Sequence, residues 1–121
     1  VKEKHCGNEA EGNAVRLEQY GLQALLERIG MDAEPEVALV EATKAREKVM
    51  RYRGPNQEIA TSLYHELVRF IWFLRTGIKP SGITRRELEL YRGYCQRQVE
   101  AGRMETTVLD ELAEWEREAE R

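Results

Sequence analysis

Residues 56–77 read NQEIATSLYHELVRFIWFLRTG, and their spacing decides the fold. Ile59, Leu63, Leu67, Phe70, Ile71 and Leu74 recur at intervals of three and four, the period of one helical face. Tyr64 and Phe73 flank that face, so the apolar arc covers about half of the circumference, wider than the roughly 100° stripe of a surface helix. Asn56 is a favoured N-cap type, and Gly77 is the residue expected where a helix ends in a left-handed turn. The stretch therefore predicts a central bundle helix. Val68 and Trp72 fall outside the arc, Trp72 on the same side as Thr61 and His65. Both are candidate interface residues, to be covered by another helix or by a second chain.

One carboxylate interrupts the arc. Glu66 projects between Ile59 and Phe73 and is the candidate buried acid. Such a group is either desolvated, with a raised pKa, or paired. It would be a ligand-recognition acid or a structural ion pair, with Arg85, Arg86 and Arg92 as candidate partners.

Outward from this helix the same period recurs, and nothing alternates with period two. A first helix is expected over about 13–29, burying Val15, Leu22, Leu25, Leu26 and Ile29, with Gly30 closing it. Asp32 is placed to cap a second helix over about 33–53, Pro35 being tolerated in its first turn. Its stripe of Ala38, Ala42, Ala45, Val49 and Tyr52 lets a neighbour approach closely, and Gly54-Pro55 ends it. Downstream, Thr84-Arg85-Arg86-Glu87 reads as a capping box, with Ile83 and Leu88 placed as a hydrophobic staple. The fourth helix, about 85–101, should bury Leu88, Tyr91, Cys95 and Val99. A last helix, about 106–119, presents Val108, Leu112, Trp115 and Ala119. The expected architecture is all-α: a single-domain antiparallel bundle of about five helices over 13–121, preceded by a polar, poorly ordered leader at 1–12.

The 121 residues suit one domain, and 41% apolar with 34% charged composition fits a folded helical chain. The longest apolar run, residues 70–74, is far short of a membrane span, and the polar beginning shows no secretory signal. Two cysteines, Cys6 and Cys95, are too few for a disulfide framework, and free thiols fit a reducing cytosol, the expected location.

Charge is unevenly distributed. Residues 44–103 hold 13 of the 19 Lys and Arg and only 6 of the 22 Asp and Glu, a local balance of +7, whereas each flank stands at −5. An anion-binding or docking face would give this pattern, and so would acidic ends folded over the basic middle. Lys44, Lys48 and Arg51 share one ridge of the second helix, near Glu41 and Glu47. On the fourth, Arg86 and Arg97 flank Gly93, which should admit a close backbone, while Arg92 lies on another side beside Glu89. Tyr52-Arg53-Gly54 and Tyr91-Arg92-Gly93-Tyr94 interleave aromatic rings with Arg, as in proteins that stack bases and hold phosphates. Lys44, Lys48, Arg51, Arg53, Arg86, Arg92 and Arg97 are thus the candidate nucleic-acid or anion contacts.

Catalytic signals are weak. The two histidines, His5 and His65, provide no metal-ligand spacing, and His5-Cys6 is a lone pair in the leader. Ser62 and His65 lie one turn apart, but with no acid to orient the imidazole and no loop for an oxyanion hole. No phosphate-binding loop, nucleophile elbow or zinc-protease motif occurs.

Ile83-Thr84-Arg85-Arg86-Glu87-Leu88-Glu89-Leu90 resembles the opening of LuxR-type helix-turn-helix domains over about eight residues. Beyond them the short turn and recognition helix do not follow, and the capping box alone accounts for the match. No family is assigned. The leading expectation is a non-enzymatic interaction or regulatory subunit, without cofactor or metal, acting on a protein partner or a second copy of itself. A nucleic-acid-binding module using residues 44–103 is the alternative.

Overall fold

The computed structural model describes residues 17–121; the leader expected at 1–12 with His5 and Cys6, and the expected start of the first helix at 13–16 with Val15, lie outside the described residues. Among the described residues five helices follow in order: α1 (Leu22–Ile29), α2 (Pro35–Arg51), α3 (Gln57–Thr76), α4 (Arg85–Glu100) and α5 (Thr107–Glu120). The all-α bundle is as the spacing predicts. α2 and α3 form the most extensive pairing, α5 packs on α4, and α1 touches α2, α3 and α4.

α3 is central. Leu67, Phe70, Ile71 and Phe73 are buried, and Gly77 ends the helix at φ +71°, a conformation that L side chains rarely adopt. Ala38, Ala42, Ala45 and Val49 are the buried face of α2, so the small-residue stripe is what brings α2 onto its neighbours. Phe70 and Phe73 meet Tyr91 with ring centroids 5.5 and 4.7 Å apart, and Trp115 of α5 stands edge-on to Phe73 at 5.9 Å. These ring contacts weld α3, α4 and α5 into one core.

Three local expectations change. The first helix is not continuous: Leu17 and Glu18 are helical, the chain turns at 19–21, and α1 starts at Leu22. α3 packs closely against this turn. A Cβ on Gly21 would sit 3.0 Å from Leu63 Cδ2, so the backbone itself is pressed against that leucine. α2 starts at Pro35, later than expected, with Glu34 and not Asp32 at its N-cap and no side-chain cap bond. Gly93, finally, faces the Met31 side chain (3.6 Å from an added Cβ) and not another backbone.

The capping box is present. Glu87 N–H donates to Thr84 Oγ1 (3.2 Å) and Thr84 N–H to Glu87 Oε2 (3.3 Å). The same Glu87 accepts two bonds from Arg69 of α3, at 2.7 and 2.9 Å, with its side chain only 5% exposed. At the other end of α4, Tyr94 Oη donates to the Ala33 carbonyl (2.9 Å), and the buried Gln98 amide donates to those of Met31 and Ala33 (3.1 and 2.8 Å). Arg103 adds a bond to the Asp32 carbonyl at 2.9 Å. The connection between α1 and α2 is thereby satisfied by side chains of α4 and of the turn that follows it.

Candidate functional site

The basic middle is largely answered from within the chain. Lys79 pairs with Glu118 at 2.8 Å, Arg85 with Glu120 at 2.9 Å, and Arg92 with Glu116 at 3.1 Å. The acidic last helix therefore lies along the cations of α4 and the loop before it. On α2, Lys44 lies 3.5 Å from Glu41 and Arg51 4.0 Å from Glu47, while Lys48 stands over the Tyr20 ring at 5.8 Å. Arg53 donates to the carbonyls of Met50 and Tyr52, a cation at the C-terminal end of α2. Arg86 reaches Gln23 Oε1 at 2.6 Å. Arg97 is exposed, with no charged partner among the described residues. Arg86 and Arg97 stand about 16 Å apart along α4. The seven cations are split between α2 with its C-terminal end (Lys44, Lys48, Arg51, Arg53) and the start, middle and end of α4 (Arg86, Arg92, Arg97).

The second candidate surface is apolar. Trp72 is 48% exposed on α3, Met50 57% on α2, and Ile78 58% just past the end of α3; Val68 is half-buried. Trp115 of the terminal helix takes the Phe73 side, leaving Trp72 to solvent. Val37 and Val40 continue the ridge of Lys44, Lys48 and Arg51 toward the start of α2 and are exposed too.

The third surface is a cleft of about 700 Å³ between the turn before α1 and the first half of α3. Gly21, Ala24, Ile59 and Leu63 line it apolarly; Glu18, Glu27, Glu58 and Glu66 bring carboxylates, and Arg86 is its one cation among the described residues. Glu66 is its pivot. The acid is half-buried, and Oε1 accepts the Leu22 N–H at 3.0 Å. Its partner is thus a backbone amide at the start of α1 and not Arg85, Arg86 or Arg92. This is the donor left without an intrahelical acceptor when the first helix breaks at Gly21. Burial raises the Glu66 pKa, against the lowering effect of the Leu22 amide; Glu87 raises it further, and Arg86 and Arg69 oppose. The second carboxylate oxygen has no hydrogen-bond partner among the described residues.

The remaining chemical groups do not converge. Ser62 opens onto the cleft, while His65 is exposed, edge-on to Tyr64 at 5.7 Å. Arg69, one helical turn after His65, is committed to Glu87. Cys95 is buried and its thiol is pushed up to about 12 by desolvation, far from a reactive thiolate. Among the described residues no group of His, Cys, Asp and Glu is placed to hold a metal, and no helix is long and apolar enough to cross a membrane.

Sequence reasoning located Glu66 by its place in the apolar arc but missed the cleft, because the turn at 19–21 that forms its wall depends on Leu63 and Glu66, more than forty positions away. No protein family, curated protein or solved structure matches this chain.

Proposed function

We propose that the chain is a non-enzymatic helical interaction or regulatory subunit that works through protein–protein contacts. The observation that carries this reading is Trp72. A residue of that size, 48% exposed on the central helix, with Val68 half-buried one turn before it, costs solvation in the isolated chain and supplies an anchor in a complex. The surface it belongs to can take a different protein or a second copy. The internal pairing of Lys79, Arg85 and Arg92 with α5 argues in the same direction, since those cations would have to exchange Glu118, Glu120 and Glu116 for phosphates.

The test is co-purification from native lysate, comparing wild type with Trp72→Glu, each with and without nuclease. The wild type should retain a protein partner, or run as a dimer by light scattering, regardless of nuclease. Trp72→Glu should lose that association while keeping its helical circular dichroism. Retention that disappears on nuclease treatment would reverse the reading in favour of a nucleic-acid-binding module.

A further inference from the structure

We infer that the cleft between α1 and α3 receives a cationic, apolar-flanked segment of a partner protein, one Lys or Arg of which ends on Glu66. This rests on the interaction-subunit reading and assigns it a second surface. Leu63 in the cleft and Trp72 are nine residues apart, which puts them about 180° apart around α3.

The cleft has an apolar floor, Ile59 and Leu63, and a carboxylate rim, Glu18, Glu27 and Glu58, with Glu66 set deeper. An apolar floor binds side chains without regard to charge; the rim selects the sign. Four carboxylates face one Arg, which is already engaged by Gln23. Anionic peptides, phosphates and acidic lipid surfaces are repelled, whereas a Lys or Arg stem lies along the floor and carries its charge to the rim. Glu66 adds a directional element. Oε1 accepts the Leu22 amide, which leaves the other oxygen, without a partner among the described residues, as the available acceptor. Its negative charge is partly desolvated and met by no direct cation among the described residues, so an incoming ammonium or guanidinium relieves a cost already present. Arg suits the site best, because its planar fork can bond Glu66 while a second N–H reaches a rim carboxylate.

The test is fluorescence anisotropy with the full chain and a labelled amphipathic peptide carrying Arg and Leu at helical spacing, beside a counterpart with Glu for Arg. The Arg peptide should bind, the Glu peptide should not, and added salt should weaken the complex. Glu27→Lys combined with Glu58→Lys changes only exposed residues and should weaken binding about tenfold or more. Glu66→Gln, which keeps an acceptor for Leu22, should weaken it several-fold. Glu105→Lys with Glu111→Lys, on exposed positions of the last helical region, should leave it unchanged. Equal losses from the two double variants would mean a general acidic surface and overturn the proposal, as would no binding of the Arg peptide. A tenfold gain on Lys2→Glu with Lys4→Glu would make the chain's own first residues the occupant and overturn the assignment to a partner. Trp72→Glu should leave peptide affinity intact, so failure of the Trp72 surface and failure of this cleft read out separately.

Discussion

Two tyrosines in one helix should respond to the same substitution with opposite signs. Tyr91 and Tyr94 are both fully buried on α4 and both touch Phe70. Tyr94 Oη donates to the Ala33 carbonyl at 2.9 Å, whereas Tyr91 Oη is buried with no hydrogen-bond partner among the described residues. A buried hydroxyl without a partner costs about 1–3 kcal/mol relative to its hydrated state. Tyr91→Phe removes that cost and leaves a void of roughly 10 Å³, worth about 0.2–0.3 kcal/mol at 24 cal/mol per Å³. The expected net effect is a stabilisation of about 1–2 kcal/mol, or about 3–6 °C in Tm per kcal/mol for a chain of this size. Tyr94→Phe loses a made bond, but the Ala33 carbonyl keeps the Gln98 amide at 2.8 Å, so the cost should stay near 0.5–1.5 kcal/mol. Urea melts followed by circular dichroism measure both, with an unchanged m-value required for the comparison. If Tyr91→Phe destabilises by 1 kcal/mol or more, the hydroxyl has a partner and the reasoning fails.

Gly21→Ala should cost about 1–3 kcal/mol, since the new Cβ meets Leu63 Cδ2 at 3.0 Å and the Glu18 carbonyl at 3.3 Å; an unchanged Tm would show that the turn has room. In a Cys6→Ser background, Cys95 should not react with an aromatic disulfide reagent at neutral pH until urea unfolds the chain, because burial holds its thiol near 12. Glu66 sets a pH slope of known sign. Its folded pKa is raised, so between the unfolded and folded values the native state holds more protons and stability falls as pH rises. Wild type should therefore lose ground to Glu66→Gln as pH climbs upward from the ordinary carboxylate range, and a constant difference from about pH 4 to about pH 7 would contradict the assignment.

What the sequence revealed was what depends on near neighbours. The α3 face, the Ala38–Ala42–Ala45 stripe and the Thr84–Glu87 box are all set by residues within a turn or two, and all appear as read. The break at Gly21 was not legible because a lone glycine weakens a helix without ending it; the contacts that accompany the break, Leu63 against Gly21 and the Glu66 carboxylate on the Leu22 amide, come from more than forty positions away. Glu66 stood out by its place in the apolar arc, but a backbone N–H is a partner that no sequence pattern advertises. Gln98 lay outside the expected core for a related reason. A polar residue enters the interior only where carbonyls such as those of Met31 and Ala33 await it, and their position is a product of the fold. The charge blocks were legible as blocks; which cation met which acid required α5 to be placed.

The doubly used Glu87 has a kinetic consequence. Helix ends ordinarily fray first, exchanging their amides through small openings that leave the rest intact. Here the residue that closes the first turn of α4 is also the anion that holds Arg69 of α3. To open that turn, the protein must release an ion pair between two helices as well as a local cap. The Glu87 amide should therefore exchange with solvent on the schedule of α3 and α4 parting, and the beginning of α4 should behave as an interior position of the folding unit although it lies at a helix terminus.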